Sequence, residues 1–507
     1  MAPRAVRQRL IVASNRLPVT LAQDADGKWR CHPGSGGLVS ALLPILRHRG
    51  GVWIGWPGTA DFDARAGSAL ARAARDIGLQ LRSVPLTKDE VRGFYRGFSN
   101  EIVWPLFHDL QSLCNFDPTY WRVYLDVNRK FAHAVAREAK RRDFVWVHDY
   151  HLIHLGSELR RRRARMRTAF FLHTPFPSLD VFAKLPWRFE ILRALLDYDL
   201  VGFQTLRDRR NFVHCIRTLA DDVEVHGSGR VVTIEDGDRR VRVGSFPISI
   251  DYNRLVRRAG APDVATKVEE LHRELPNRQR LLGIDRLDYT KGIPYRLLAF
   301  RNALRRYPKL RERVTLIQVV VPSREQIPEY HDLKARIEGL VGEINGEFTR
   351  PGGWVPIHYV YRHLSEADLL AYYRGAEIAL VTPLKDGMNL VAKEYSACSI
   401  EEDCVLILSE FAGAAAQLQN GALLVNPYDI EGVADAIHIA YTMSMSERRA
   451  RMRRIRRSVR QHDVYEWVDS FIHAGIAKDL SAFPLPEDFV PRENGATEMS
   501  STWRRRQ

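Results

Sequence analysis

The sequence predicts an α/β protein made of two doubly wound, Rossmann-like domains with a cleft between them. Three observations predict it. Short apolar, partly β-branched runs recur along the chain, as the buried strands of parallel sheets do. Each run stops at a cluster of polar, charged or glycine residues, and a parallel sheet holds its ligands outside the carboxyl ends of its strands. The alternation lapses near residues 248 to 252 and restarts at Arg278, and 507 residues are too many for one ordinary core. The expected domains are therefore 1–248 and 249–463.

In chain order, Leu10 to Ala13 is a strand with Ser14-Asn15-Arg16 at its carboxyl end, so Arg16 faces the ligand side. Pro18 to Arg30 is a hairpin or loop. Gly34-Ser35-Gly36-Gly37 then feeds the apolar run Leu38 to Leu46, a glycine-rich turn at a helix N-terminus where backbone can approach a ligand. It lacks the GxGxxG spacing, so a plain flexible turn explains it equally. Gly51 to Trp56 is the next strand. Residues 94 to 108, FYRGFSNEIVWPLFH, concentrate rings and polar groups, and Tyr95 and Trp104 fall on no amphipathic period. Either they line a pocket or they form a core cluster beneath a loop. Asp143 to Val147 runs into His148-Asp149-Tyr150-His151, and Thr168 to Leu172 into His173-Thr174-Pro175, each setting an Asp or a His at a strand end. The HxxH pair, His148 and His151, lacks the HExxH carboxylate and a third ligand, so no metal site is expected. Strands and turns fill residues 221 to 246, and Asp251 to Gly260 reads as a connector.

The second half opens with the strand Leu281 to Ile284, ending in Asp285-Arg286-Leu287-Asp288-Tyr289-Thr290-Lys291-Gly292. Arg286 and Lys291 share one strand-to-helix loop and can converge on one anion. The strand Val314 to Val321 ends in Pro322-Ser323-Arg324. The other reading pairs these cations with Asp285, Asp288 and Glu325. After Ile357 to Val360 comes IALVTPLKDGMNLVAKEYS, residues 378 to 396, where a strand to Thr382 meets a helical pattern across Asp386-Gly387. The amides of Gly387, Met388, Asn389, Leu390 and Val391 suit a phosphate at a helix N-terminus. A helix starting near Met388 sets Glu394 nearly two turns along at roughly 1.5 Å per residue, so one elongated ligand could meet Asp386 and Glu394 at its two ends. A sugar nucleotide has that shape, whereas an N-cap aspartate and a solvated glutamate account for the pair without a ligand. Val405 to Ser409 is the last strand.

A hydrophobic content of 45% and a charged content of 27% are those of a soluble globular protein. The net charge of +15, from 76 Lys+Arg against 61 Asp+Glu, invites a nucleic-acid partner. Its distribution argues for solvated basic faces instead: Arg160 to Arg167, Arg448 to Arg460 and Arg504 to Arg506 carry much of the excess, without a nucleic-acid motif. Five scattered cysteines without a CxxC pair favour free thiols and a reducing cytoplasm. The N-terminal apolar run is too short for a signal peptide, and none approaches a membrane span.

SNRLP at 14–18, GSGGL at 34–38, WVHDYHL at 146–152, FFLHTPFP at 170–177, RLDYTKGI at 286–293, PSR at 322–324 and DGMNLVAKEY at 386–395 stand in one order. VNPYD follows at 425–429. The ordered set resembles the trehalose-6-phosphate synthases, retaining glycosyltransferases of family 20 with the GT-B fold, over about residues 8 to 480.

The resemblance implies a nucleotide-glucose donor, expected to be UDP-glucose, a phosphorylated acceptor, glucose 6-phosphate, and no cofactor or metal. Arg286 and Lys291 would hold the donor diphosphate and Glu394 the ribose. Asp386 would hold the glucose hydroxyls, beside the amides of Gly387, Met388 and Asn389. His173 would sit near that sugar, and the GSGG turn, Gly36 and Gly37, would approach it through backbone. Arg16, Tyr95 and Arg324 would bind the acceptor phosphate, with Trp104 and Asp149 on its ring. The last helix, about 464–482, would cross back to the first domain. The resemblance gives the arginine-rich tail, 491–507, no role, and it is expected to be disordered. The motifs leave oligomeric state open. Competing readings are a glucosylglycerol-phosphate synthase acting on glycerol 3-phosphate, a regulatory homologue without turnover, and a nucleic-acid binder resting on charge alone.

Overall fold

Every run read as a strand in the sequence forms one. The computed structural model describes residues 8–34, 37–162, 166–221, 223–324, 327–351, 353–477, 479–480 and 483–491; Gly36 and nearly all of the 491–507 tail lie outside them. Contacts divide the chain into two units. The first takes the described residues up to Tyr252 together with Lys385–Leu390 and Gln461–Pro486, and the second takes Asn253–Leu384, Val391–Arg460 and the described residues from Glu487.

The first unit holds a nine-stranded sheet. Its strands are β1 (Leu10–Arg16), β4 (Gly51–Trp56), β5 (Gln80–Ser83), β6 (Phe144–His148), β7 (Arg167–Phe171), β8 (Leu200–Phe203), β9 (Val223–His226), β10 (Val231–Asp236) and β11 (Arg239–Ser245), while β2 (Val19–Gln23) and β3 (Trp29–Pro33) make a separate hairpin. The order is β5-β4-β1-β6-β7-β8-β11-β10-β9, parallel up to β11 and antiparallel beyond it. All of β6 and β8 and all but the last residue of β1 are buried, as strands covered on both faces must be. Part of that cover is the helix Val464–Ile476. The Phe471 ring stacks on Trp146 at 4.4 Å between centroids, and the Trp467 indole donates to the Phe246 carbonyl at 3.1 Å. A Cβ at Gly202 would meet the Phe471 ring at 2.5 Å, so only glycine on β8 lets that ring down onto the sheet.

The second unit is a six-stranded, wholly parallel sheet, β14-β13-β12-β15-β16-β17. Its strands are β12 (Gln279–Arg286), β13 (Val314–Val321), β14 (Ile357–Tyr361), β15 (Ile378–Val381), β16 (Val405–Ser409) and β17 (Leu423–Val425). Its central ion pair, Arg296 to Asp285 at 2.7 Å, is buried, and Arg296 also bonds Thr382 and Gln318, so the guanidinium is satisfied beneath the β12 loop.

Four expectations change. Residues 91 to 103 form a π-helix, Val91–Val103, entered through a Thr87–Glu90 capping box; the Trp104 amide donates to Ser99, five residues back. That wider turn is why the aromatic stretch showed no α-helical period. The connector at 251–260 contains a helix, Tyr252–Ala259, with its basic residues clustered towards its end. The helix after β15 begins at Leu390, because Asn389 stands in the left-handed region at φ 76°, so Glu394 lies just over one turn along rather than nearly two. The basic run at 448–460 is partly structural. Buried Arg448 donates to the Met443, Ala440 and Tyr441 carbonyls, and Arg456 donates to those of Ser396, Ala397 and Ser399, capping the helix Leu390–Cys398 at its negative end.

Candidate active site

The residues expected to meet ligands collect at the carboxyl edges of the two sheets. In the first unit, Arg16 ends β1 with its guanidinium 4.0 Å from the centroid of Trp56 and 5.3 Å from that of Tyr95. Trp56 ends β4, the neighbour of β1, and Tyr95 comes from the π-helix. Gly58, at φ +95°, leaves room for the same guanidinium, since a Cβ there would stand 2.5 Å from Nη1. Such a pair of cation–π contacts is worth about 0.5–1 kcal/mol each at an exposed site and more when desolvated. Trp56 was invisible as a site residue in the sequence, because the contact is made across strands; a strand ending in an aromatic beside one ending in arginine was the only signal.

Tyr95 stacks on His151 and His151 on Tyr150, while Trp104 is buried against His108 at 4.2 Å and Tyr150 at 5.9 Å. Asp149 follows β6 at φ 73°, a strained conformation for a non-glycine residue, costing about 1–3 kcal/mol. The strain aims its carboxylate back at β7, where Oδ1 accepts the His173 amide at 3.2 Å. His173 is half-buried. Its Nε2 lies 3.0 Å from Nδ1 of buried His148. Burial draws the His173 imidazole down to about 3, and burial together with its neighbour holds His148 well below the usual histidine range, so both rings are neutral.

The segment Lys385–Leu390 packs on this same edge. A Cβ on Gly387 would fall on the His173 carbonyl, and one on Gly37 would fall on the Leu390 side chain, so both glycines are fixed by close approach. Lys385 pairs with Asp109, and Asn389 donates to Asp386 Oδ2 at 3.1 Å. Met388 is buried beneath them. His173, Asp386, Gly387 and Gly37, separated by more than two hundred residues of chain, therefore share one patch.

In the second unit, Arg286 is exposed at the end of β12, and Lys291 and Arg324 are half-buried. All three act on Asp288. Burial pushes its carboxyl up, but the charges of Arg324, Arg286 and Lys291 more than reverse this and leave it below the ordinary carboxylate range. Asp288 Oδ1 accepts the Thr290 amide and hydroxyl, and Arg324, at φ 52°, donates to the Tyr330 hydroxyl at 2.6 Å and stands 3.5 Å from Asp288 Oδ2. The loop is pinned to the segment after β15: Leu384 donates to the Thr290 carbonyl at 2.8 Å, and Gly292, at φ +65°, abuts the Thr382 carbonyl. Arg324 thus stands with the two diphosphate candidates, and the charge of Asp288 offsets part of the repulsion among the three cations. Half-buried Glu394, three residues after Val391, receives the Tyr373 hydroxyl on Oε2 at 2.9 Å; burial raises its carboxyl against that bond.

The glycosyltransferase family 20 profile matches residues 8–475. The chain belongs to glycosyltransferase family 20. It is 43% identical over 480 residues to the trehalose-6-phosphate synthase of Mycolicibacterium gilvum, covering 93% of this chain and 94% of that one. A UDP-forming α,α-trehalose-phosphate synthase from Burkholderia xenovorans, solved with glucose 6-phosphate, superposes with a TM-score of 0.82 at 34% identity, covering 92% of this chain and 99% of that one. A trehalose-6-phosphate synthase studied for glycosyltransfer with retention matches at 34% identity and TM-score 0.80, covering 92% and 99%. Two α/β units with largely parallel sheets fit the GT-B fold of family 20, and the ordered motifs lie inside the matched span.

Proposed function

We infer that this family 20 enzyme transfers glucose with retention from UDP-glucose to glucose 6-phosphate, giving α,α-trehalose 6-phosphate and UDP. The observation that carries the reading is likeness along nearly the whole chain to enzymes of that name. Its relatives' acceptor sets glucose 6-phosphate ahead of glycerol 3-phosphate, and the presence of every donor and acceptor group named above favours turnover over a silent homologue.

The residue roles follow from the chemistry at each edge. Arg286 and Lys291 take the donor diphosphate, and Glu394 accepts from the ribose through the oxygen Tyr373 does not occupy. Asp386, the amides of Gly387, Met388 and Asn389, and His173 border the glucose. Gly37 approaches it through backbone, and the amides of Leu390 and Val391 add positive potential near the phosphates. Arg16, Tyr95 and Arg324 bind the acceptor phosphate, with Trp104 and Asp149 on its ring. We take the first unit, with the last helix packed on it, as mainly the acceptor domain and the second as the nucleotide-sugar domain, although Arg324 belongs to the second and the donor-glucose groups His173, Asp386 and Gly387 to the first. A double displacement needs a carboxylate nucleophile about 5 Å from an acid partner. The neutral histidines and the cation cluster favour a front-face transfer instead. The leaving phosphate oxygen takes the acceptor proton while Arg286 and Lys291 stabilise its charge.

No described helix is long and apolar enough to cross a membrane, and all five cysteines are free, which fits a cytoplasmic enzyme. A screen of UDP-, GDP- and ADP-glucose against glucose 6-phosphate, glucose and glycerol 3-phosphate, read by product mass, tests the reading. UDP-glucose with glucose 6-phosphate should give the highest kcat/KM, in EDTA as without it. Preference for glycerol 3-phosphate would overturn the acceptor, and loss in EDTA restored by Mg²⁺ would overturn the cation-only leaving-group site.

A further inference from the structure

Three neighbouring strands of the first sheet, β6, β7 and β8, end in side chains that bond to one another in a row. His148 Nδ1 lies 3.0 Å from His173 Nε2, and His173 Nδ1 lies 3.4 Å from the side-chain amide nitrogen of Gln204, the residue after β8. The row is anchored beyond β11, where the backbone N–H of Ile248 donates to Gln204 Oε1 at 2.9 Å. That anchor fixes the direction of every bond. A backbone N–H can only donate, so the Gln204 oxygen faces Ile248 and its NH₂ faces His173. Turning the amide over would set its NH₂ against the Ile248 N–H, two donors facing each other. His173 Nδ1 therefore accepts. In a neutral ring the proton then sits on Nε2, which donates to His148 Nδ1, and the His148 proton sits on Nε2. This last nitrogen is buried beside Trp146, at 4.7 Å between ring centroids, and has no hydrogen-bond partner among the described residues. Leaving a buried N–H unpaired costs about 1–3 kcal/mol.

We propose that His148 and Gln204 are positioning residues that hold His173 as its Nε2–H tautomer with the ring fixed across the strand ends, so that Nδ1 is presented as an acceptor to a hydroxyl of the donor sugar. The inference rests on the reading that His173 borders that sugar. The 3.4 Å contact from Gln204 is long, so a closer hydroxyl can displace it, whereas the 3.0 Å bond to His148 keeps the ring in place. The unpaired His148 N–H is the cost of this arrangement. A histidine with no other task is replaceable there by an apolar residue, which would remove an unsatisfied buried donor and leave His173 free to turn.

Two measurements on the full chain test it. In protein labelled with ¹⁵N-histidine, His173 should show the Nε2–H tautomer without substrate, and its Nδ1 resonance should move when UDP-glucose binds. Gln204→Glu, which puts an acceptor against Nδ1, should flip His173 to Nδ1–H. In kinetics, His148→Leu removes the acceptor for the Nε2 proton. It should lower kcat roughly 10- to 100-fold, the range known for partners that orient metal-bound histidines, with KM for glucose 6-phosphate unchanged. His148→Gln, whose carbonyl can accept the same proton, should recover most of the loss, a rescue that a purely packing role does not give. An Nδ1–H tautomer in the wild type, or equal kcat in the Leu and Gln variants, overturns the proposal and leaves His173 free to border the sugar by other means. A His173 tautomer that changes in His148→Leu with kcat unmoved, and a Nδ1 resonance indifferent to UDP-glucose, would instead overturn the placement of His173 at the donor and the proposal with it.

Discussion

The two sheets end in opposite ways. The first closes its carboxyl edge with aromatic rings and neutral imidazoles, and Arg16 is held by the faces of Trp56 and Tyr95. The second gathers Arg286, Lys291 and Arg324 about one buried carboxylate, Asp288. The contrast fits the two chemical tasks proposed above. An edge meant to orient sugar rings gains from stiff, uncharged packing, whereas an edge meant to meet developing phosphate charge gains from fixed cations with no solvent to reorganise. It also predicts that damage to the first edge acts through geometry, and damage to the second through charge.

The largest expected effect breaks the first edge from beneath. Phe471→Ala removes the ring stacked on Trp146 and seated over Gly202. A buried Phe to Ala change costs about 3–5 kcal/mol. Chemical denaturation should show the loss in the midpoint, with UDP binding by the remaining folded protein little altered; an unchanged midpoint would mean the helix Val464–Ile476 is not part of the first unit's core.

Next comes the second edge. Arg286→Ala or Lys291→Ala should cost about 3 kcal/mol of transition-state stabilisation, on the order of a hundredfold in kcat/KM, with thermal stability preserved. Asp288 is the buried carboxylate on which all three cations act. Wild-type kcat/KM in either alanine variant would remove these residues from the leaving-group site.

How far each edge was legible beforehand follows from the same contrast. Arg286, Lys291 and Gly292 sit within seven residues, so their convergence could be read from one loop. The strands were legible because burial on both faces leaves an unbroken apolar run. The first edge was not, because its contacts are between strands: Trp56 reaches Arg16 across β4 and β1, and Gly387 meets His173 across more than two hundred residues. Tyr95 and Trp104 were noticed only as a failure of period, which a π-helix explains. Arg448 and Arg456 were misread as surface, since nothing in an arginine-rich helix marks the residues whose guanidinium groups turn in to cap backbone carbonyls.

A smaller effect separates the charge of Glu394 from its position. Burial raises its carboxyl above the ordinary value, and the Tyr373 hydroxyl opposes this. Because the folded value is the higher one, the protonated form is favoured by folding. That contribution to stability is complete below the unfolded value and is lost as pH rises through the folded one. Donor binding runs the other way if Glu394 accepts from the ribose as proposed, since a ribose hydroxyl needs the carboxylate, so KM for UDP-glucose should rise as pH falls through the raised value. Tyr373→Phe removes the opposing bond. It should weaken donor binding by about 1–1.5 kcal/mol and move the rise in KM to higher pH. A KM–pH profile that superposes on wild type would show that Tyr373 does not govern this carboxylate.

The smallest effect isolates the aromatic character of the first edge. Trp56→Leu keeps an apolar residue at the end of β4 but removes the π face 4.0 Å from the Arg16 guanidinium. Arg16 keeps its charge and its remaining contact with Tyr95, so the change loses orientation rather than the cation. One cation–π contact of this kind is worth about 0.5–1 kcal/mol, or roughly two- to fivefold in affinity. If the first edge serves the acceptor, the loss belongs in KM for glucose 6-phosphate. KM for UDP-glucose should hardly move, the fold losing some stability with the buried indole and its bond to the Thr59 carbonyl, and Trp56→Phe, which restores a smaller π face, should fall between. A shift in KM for UDP-glucose instead would mean that the ring-held arginine faces the donor. The division of labour between the two edges would then have to be redrawn around the cations of the second sheet.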